Sequence, residues 1–344
     1  MNRRMSTLLV GAVPIVGLGA LLLSPAAVVP YAAEGPGPVV NVLGDYEGKP
    51  IVDIKGADVD EAATGEIDMT TVAVGHRLNL PQALSLWADE NYDLVPIEAI
   101  FPPGMSEEEV DERNTLMFDQ SEANATAAAM KELDYPLEVS VGTVLDDGAA
   151  KNVLQQGDII IAVDGKKMFN PRAVQDAINR YAPGDSVTVT VRREGKVIDQ
   201  DVTLGENPEN PKRGQLGIAV MAKPANGVDI NYNVSGIGGP SAGLVLTLAI
   251  IDKLTEGDLT GGKHVAGTGT IDGAGVVGPI GGITHKIAAA KAEGADFFLV
   301  PDDNCAEALT ADAGDMQLYA VTDVQEALSV LDDPATAERC GAGS

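Results

Sequence analysis

The stretch Gly238-Gly239-Pro240-Ser241-Ala242-Gly243, followed directly by the apolar segment LVLTLAII at 244–251, decides the fold of the C-terminal half. A Gly-x-Ser-x-Gly pattern usually places a serine at a sharp turn before a helix. The apolar segment supplies that helix, so Ser241 is predicted at its N-terminal end. Backbone amides there can stabilise an oxyanion, which makes Ser241 a candidate nucleophile. The alternative is a serine that only caps the helix.

A serine hydroxyl is a weak nucleophile and needs a base. Two candidates lie downstream, His285 and Lys286, after the glycine-rich turn Gly278-Pro279-Ile280-Gly281-Gly282. A lysine base must be neutral, and burial beside Ile283 and Ile287 would lower its pKa from about 10.4. His285 would instead belong to an esterase with a Ser-His-acid triad. Pro240 within the turn and the lack of an upstream HGGG loop argue against that alternative.

Residues 138–205 read as a compact β-rich unit with one helix, which Asn170 caps and Pro171 opens. The unit resembles a PDZ domain in Gly148-Ala149-Ala150, Gly157-Asp158-Ile159-Ile160 and Val163-Asp164-Gly165. PDZ domains bind extended peptides by strand addition, so peptide binding is expected. No GLGF-like turn precedes Gly142, which leaves recognition of a free carboxylate open. The alternative is a β-rich spacer without a ligand.

The C-terminal part resembles the Lon proteases. Gly238–Gly243 is similar to their serine motif, and Thr268-Gly269 followed by 277–286 is similar to their lysine motif, with the serine and lysine 45 residues apart. The resemblance implies Ser241 as nucleophile and Lys286 as general base, with Thr268, Gly239 and Pro240 in support. Gly238-Gly239 departs from the family, in which an acidic residue often precedes the glycine. The resemblance also implies a possible homo-oligomer.

The Lon ATPase is missing. The nearest nucleotide-binding pattern, at 257–264, has His264 where Mg²⁺ binding needs Ser or Thr. No ATP and no other cofactor are therefore expected. With a membrane anchor and a PDZ unit in front, the whole chain resembles the PDZ-containing Lon-like proteases of Gram-positive bacteria. The function expected is an ATP-independent serine endopeptidase acting on protein or peptide substrates; an inactive PDZ scaffold is a further alternative.

The N-terminus predicts a membrane anchor. No charged residue occurs from Met5 to Ala33, and Arg3 and Arg4 precede this run. About 20 apolar residues suffice for a helical span, and the arginines place the N-terminus in the cytoplasm. The expected location is thus the cell membrane, single-pass, with the catalytic domain extracytoplasmic. A cleaved signal peptide, with the small residues Ser24 and Ala26 as its cleavage site, is the alternative.

Composition and charge argue against two further classes of function, nucleic-acid binding and metal-dependent catalysis. The chain has 344 residues and a formal net charge of −28, which argues against nucleic-acid binding. It has no CxxC or HExxH pattern, so no metal site is expected. Cys305 and Cys340 are the two cysteines, and a disulfide between them is compatible with an extracytoplasmic location. The alternative is two inert thiols.

The fold class expected is an α/β (α+β) Lon-type proteolytic domain with an inserted or preceding PDZ domain and an N-terminal transmembrane helix. The expected divisions are an anchor at 1–35, a strand and helical region at 36–137, the PDZ domain at 138–205, the Lon-like domain at 206–335 and a tail at 336–344. Within the second division, Ser106 and Glu109 form a capping box that predicts a helix over 106–133.

Overall fold

The computed structural model of the chain describes residues 28–60, 64–208 and 210–342. The expected membrane span lies almost wholly in residues 1–27, outside the described part. None of the helices within the described residues is both long enough and apolar enough to cross a bilayer.

Two of the described helices begin where their local capping signals predict. Ser106 and Glu109 form the expected capping box, and Asn170 accepts from the amide of Ala173 ahead of Pro171. The helices are α1 (Leu80–Trp87), α2 (Ile97–Ile100), α3 (Glu107–Glu132), α4 (Pro171–Ile178), α5 (Gly243–Leu254), α6 (Ile283–Glu293), α7 (Cys305–Ala308) and α8 (Val324–Asp332), with a 3₁₀ turn at Asp302–Asn304.

Twenty strands are defined within the described residues. They are β1 (Tyr31–Asn41), β2 (Asp45–Tyr46), β3 (Lys49–Pro50), β4 (Val52–Lys55), β5 (Glu66–Gly75), β6 (Asp93–Pro96), β7 (Leu137–Val144), β8 (Ile159–Val163), β9 (Lys166–Lys167), β10 (Ser186–Arg193), β11 (Lys196–Thr203), β12 (Gly205–Asn207), β13 (Asn210–Gln215), β14 (Ile218–Pro224), β15 (Asp229–Tyr232), β16 (His264–Gly267), β17 (Thr270–Ile271), β18 (Val277–Gly278), β19 (Phe297–Pro301) and β20 (Gln317–Val321).

The larger unit is built on a six-stranded sheet in the order β20-β19-β16-β5-β1-β6. Successive residues of a strand point to opposite faces. In β19, Phe297 and Leu299 therefore pack in the core that contains α3, α5 and α8. Phe298 and Val300 pack on the other face with α6 and α7. The sheet thus lies between two helical layers, as a mixed α/β fold.

Residues near the N-terminus complete this sheet. β5 pairs in parallel with β16, and β1 pairs antiparallel with β5. Segments that the sequence separates as 36–137 and 206–335 therefore share one sheet. Glycine-proline runs usually interrupt regular structure, so the run at 35–38 predicts a break after the anchor, and this prediction is wrong. The run lies inside β1, where an irregularity in register between Pro36 and Val39 accommodates the prolines.

The smaller unit is a sheet in the order β11-β10-β8-β7-β14, covered by α4 and with a core of its own. It is inserted between α3 and α5 of the larger unit. Its edge strand β14 extends to Pro224, beyond the expected limit at residue 205. The helix α3 contacts this strand as well as α5, so one helix touches both units.

A disulfide ties the last segment of the chain to α7. Cys305 in α7 and Cys340 near the C-terminus form a disulfide, 35 residues apart in sequence. The hydroxyl of Thr322 predicts an N-cap for α8 at that residue, but the N-cap is Asp323, which accepts from the amide of Glu326. The Thr322 hydroxyl instead donates to the Glu326 carboxylate.

Candidate active site

The turn that carries Ser241 is held by helix α3. The amide of Gly239, a residue with φ of +87°, donates to the carbonyl of Asn114 at 2.9 Å. The hydroxyl of Ser121 donates to the carbonyl of Pro240 at 3.1 Å. Both supporting residues predicted from the sequence, Gly239 and Pro240, therefore act through their backbone, and α3 fixes where Ser241 lies.

Ser241 does not cap α5. The N-cap is Ala242, and no side chain caps the helix. The Ser241 carbonyl accepts from the amide of Gly269 at 2.9 Å and from the hydroxyl of Thr268 at 3.1 Å. A Cβ on Gly243 would lie 2.5 Å from the Ile271 side chain, so glycine is needed for this close approach. The Ser241 hydroxyl is left available for a base.

That base position is occupied by Lys286. The residue lies in the first turn of α6, after Gly282, which has φ of +66°. Its neighbours Ile283 and Ile287 are fully buried, and Lys286 itself is 3% exposed. The amine Nζ lies 2.9 Å from Oγ of Ser241. The structure therefore brings together the two residues that the sequence predicts as a catalytic pair.

Two further groups complete the surroundings of the amine. Nζ lies 3.0 Å from Oγ1 of Thr268 and 2.9 Å from the carbonyl oxygen of Thr70. The Thr268 proton is used toward the Ser241 carbonyl, so its oxygen accepts from the amine. A neutral amine has two N–H donors, which these two acceptors use. The remaining lone pair then faces the Ser241 hydroxyl.

Burial changes the acidity of this amine. Desolvation lowers the pKa of Lys286 from 10.5 to about 8, because removal from water disfavours the charged form. Within residues 28–60, 64–208 and 210–342 no carboxylate lies within ion-pair distance of Nζ. A substantial share of the amine is therefore neutral near pH 8.

His285 points elsewhere. Its Nε2 lies 3.3 Å from Oδ2 of Asp93, and its side chain is buried. In the described structure the Ser241 hydroxyl bonds Lys286 and not His285. The arrangement needed for the Ser-His-acid alternative is therefore not the one that the structure holds.

His264 belongs to a different cluster of side chains. His264 Nε2 lies 2.5 Å from Oδ2 of Asp68 and 3.5 Å from Oε2 of Glu66. One ligand atom from each of these residues lies within 4.8 Å of the others, a spacing that a metal ion could use. In the structure Asp68 and His264 satisfy each other by a direct hydrogen bond.

Neither Thr70 nor the cleft in front of Ser241 could be found from residue types or spacing. Thr70 is 216 residues from Lys286 and contributes a backbone carbonyl, which no residue type marks. The cleft has a volume of about 700 Å³. One wall is the part of β5 beyond its pairing with β16, and the other is the 236–240 turn. Phe118 and Met69 contribute apolar lining, so the cleft suits an extended chain with apolar side chains.

The smaller unit carries a second groove of about 720 Å³ between α4 and β14. β14 pairs with β7 on one side and is the last strand of its sheet. The groove begins at the turn Gly214-Gln215-Leu216-Gly217, in which Gly217 has φ of +69°. This turn follows the strands of the unit in the chain. A loop expected before Gly142 therefore does not coincide with it.

Comparison with known proteins finds two families along the chain. The PDZ domain family matches residues 116–204, and the Lon protease (S16) C-terminal proteolytic domain matches residues 234–331. The first match begins within α3 and ends before β14. The middle of the chain is therefore similar to PDZ domains, and the C-terminal part to a proteolytic domain of the serine-peptidase class.

Individual relatives are similar over short stretches. Lon protease 2 of Bacillus subtilis is 32% identical over 126 residues, which are 36% of this chain and 22% of that protein. A probable periplasmic serine endoprotease DegP-like of Halomonas elongata is 33% identical over 94 residues, 27% of this chain and 20% of that protein. The chain thus spans about a fifth of the length of these relatives.

Among solved structures, the PDZ domain of an SdrC-like protein from Listeria monocytogenes is 28% identical. That match covers 24% of this chain and 85% of the Listeria domain, with a TM-score of 0.22.

Proposed function

We propose that this chain is an ATP-independent serine endopeptidase in which Ser241 is the nucleophile and Lys286 the general base. One observation carries the proposal: a buried amine, with no carboxylate partner in the part of the chain that the structure describes, lies 2.9 Å from the Ser241 hydroxyl. The matches to Lon-type proteolytic domains support the same chemistry.

Peptide hydrolysis follows from this geometry in two stages. Neutral Lys286 takes the proton of the Ser241 hydroxyl while Oγ attacks the peptide carbonyl. Amides at the start of α5 stabilise the oxyanion that forms. The ammonium then donates its proton to the leaving amine, which leaves an ester between Ser241 and the acyl part. Water, deprotonated by Lys286, hydrolyses that ester. Thr268 orients the amine throughout.

The loop at 257–264 supports ATP independence. Its last residue, His264, stands where Mg²⁺ coordination would need a hydroxyl, and its ring bonds Asp68. The Asp258 carboxylate bonds Thr64 and Thr260. The polar groups of this loop thus hold the loop to the segment before β5.

The PDZ unit is proposed to capture the substrate by strand addition to β14. An edge strand offers backbone donors and acceptors to an extended peptide, and the groove beside α4 accepts its side chains. The open edge of β14 and the match to PDZ domains support this step.

The chain is further proposed to be anchored in the cell membrane by its N-terminal apolar segment, with both units on the extracytoplasmic side. The 29 uncharged residues from Met5 to Ala33 and the preceding arginines support this topology. A disulfide between Cys305 and Cys340 suits an oxidising compartment.

The test is cleavage of unfolded casein by the full chain in detergent, with three single variants. Ser241→Ala should abolish cleavage, and Lys286→Met should lower kcat/KM by about 10²–10⁴-fold through loss of the general base. The neighbour His285→Ala is the matched control and should retain most activity. Activity of the unchanged chain should rise through pH 8 as the amine loses its proton.

Loss of activity in His285→Ala with survival of Lys286→Met would overturn the assignment in favour of a Ser-His mechanism. Unchanged casein in all samples, together with no reaction of Ser241 with a fluorophosphonate probe, would favour a scaffold.

A further inference from the structure

An apolar stripe on helix α1 lies open to solvent. Leu80, Leu84 and Trp87 are spaced at i, i+4 and i+7, which places them on one face of the helix. Leu84 is 53% exposed and Trp87 is 71% exposed. The face that packs on the protein is a different one, because Ala83 and Leu86 contact the cluster beneath. Leu80 is half-buried, whereas Leu84 and Trp87 are the exposed part of the stripe and belong to no apolar cluster of the described residues.

This stripe lies where the chain leaves its N-terminal apolar segment. Val28 forms a β-bridge with Asn79, the N-cap of α1. The amide of Val29 donates to the carbonyl of Leu78 at 2.8 Å. The described chain thus starts directly beside the start of α1, and the apolar segment that precedes Val28 ends at the same place.

Two more apolar residues lie at this exit point. Val28 is 55% exposed and Tyr31 is 44% exposed. The position of Tyr31 is fixed by its pairing with Pro96 of β6. Trp and Tyr are enriched at the boundary between membrane and water, where a ring can be half in hydrocarbon while its polar atom stays hydrated. The exit patch consists of Val28, Tyr31, Leu84 and Trp87.

We propose that the exit patch contacts the bilayer surface, as a second membrane contact beside the N-terminal span. The proposal rests on the membrane anchoring proposed above. The span would bring the patch to the headgroup region, and burial of its apolar side chains there would be favourable. Together the two contacts fix the orientation of the larger unit relative to the membrane.

The charge of the region selects the lipid. No Lys or Arg occurs between Leu78 and Glu112, whereas Asp89 and Glu90 follow Trp87 closely. The nearest preceding cation, Arg77, is paired with Glu107 at 2.8 Å. Anionic headgroups attract basic clusters, which this region lacks. The partner is therefore a zwitterionic lipid surface.

Trp87 is the only tryptophan of the chain, so its fluorescence reports on the patch directly. The full chain is reconstituted into phosphatidylcholine vesicles with and without brominated acyl chains, which quench a nearby indole. We expect emission shifted to the blue and strongly reduced by the brominated lipid. Leu84→Asp should reverse both effects. Val197→Asp, which charges an equally exposed residue of the PDZ unit, should leave them unchanged.

Each other result overturns the proposal in a distinguishable way. Solvent-like, unquenched Trp87 in chains that float with the vesicles would keep the anchor and exclude the patch. Blue emission that brominated lipid does not quench would show that protein covers the patch, for example a second copy. Chains that do not float would exclude the anchor as well. Casein cleavage in the same samples, compared with Ser241→Ala, reports on the peptidase function separately.

Discussion

The two units of this protein bury charged groups in opposite ways. In the PDZ unit, Asp158 is 1% exposed and receives two bonds from Arg193, at 2.7 and 2.6 Å. In the larger unit, Lys286 is nearly as buried, but among the described residues its amine meets only the neutral oxygens of Thr70, Ser241 and Thr268.

The consequences for the charge state of the two groups are also opposite, although the pKa is lowered in both. Burial by itself raises the pKa of Asp158, but hydrogen bonds from Arg193 and from the Gln155 amide more than offset this, so the pKa is lowered. That carboxylate stays charged and holds the fold. For Lys286 burial acts without a compensating charge and lowers the pKa to about 8. A buried charge with a partner is structural, whereas one without a partner is ready to exchange a proton.

The largest effect is expected on removing the paired charge. Asp158→Ala leaves Arg193 without its carboxylate, and breaking a buried pair costs about 3–5 kcal/mol. Hydrogen exchange of the β8 and β10 amides should accelerate accordingly. The matched control is Asp146→Ala, which removes the exposed pair with Lys151 and should cost at most about 1 kcal/mol. Equal protection of these amides in the two variants would show that the Asp158–Arg193 pair stabilises the fold no more than the exposed pair does.

A second effect is expected in the pH dependence of stability. Between pH 8 and 10.5 the unfolded chain keeps the Lys286 proton that the folded chain has lost. The unfolded state binds more protons there, so stability gained from this residue rises with pH. The free energy of unfolding should rise relative to that of Lys286→Met, by on the order of 3 kcal/mol across this range.

Urea unfolding followed by Trp87 fluorescence measures this difference. Lys291→Met is the control on the same helix, since its partly exposed amine pairs with Asp312 at 2.7 Å. A pH-independent difference between the unchanged chain and Lys286→Met would mean that the amine keeps an ordinary pKa.

The third and smallest effect comes from giving Lys286 a charged partner. Thr268→Asp places a carboxylate next to Nζ, as in the pair of the PDZ unit, and should return the pKa of Lys286 to its ordinary range or above. At pH 8 the neutral fraction would fall from about half to below about 1%, so the cleavage rate should fall about a hundredfold. Thr268→Asn has nearly the same shape without the charge, and its activity should lie well above that of Thr268→Asp. The pH-rate profile checks this: an acid limb that stays near pH 8 in Thr268→Asp would refute it.

Local signals in the sequence carry much of the fold. The capping box at Ser106 and the Asn170-Pro171 start each fix a helix N-terminus, because hydrogen bonds to the first turn involve residues only three positions apart. The turn before α5 and the glycine before α6 are local in the same way. Boundaries failed where partners are distant: Pro36 lies inside β1 because β5 pairs around it.

The sequence by itself predicted the pair that the structure brings together, because Ser241 and Lys286 each lie in a short recognisable motif. Only the tertiary structure decided what surrounds them, namely the Thr70 carbonyl and the helix α3 that holds the serine turn. The tertiary structure likewise decided that β14 is an edge strand of the smaller sheet. Residue types and spacing record contacts within a few turns of chain. Contacts between segments 100 or 200 residues apart depend on how whole sheets and helices pack, and a backbone carbonyl carries no mark in the sequence.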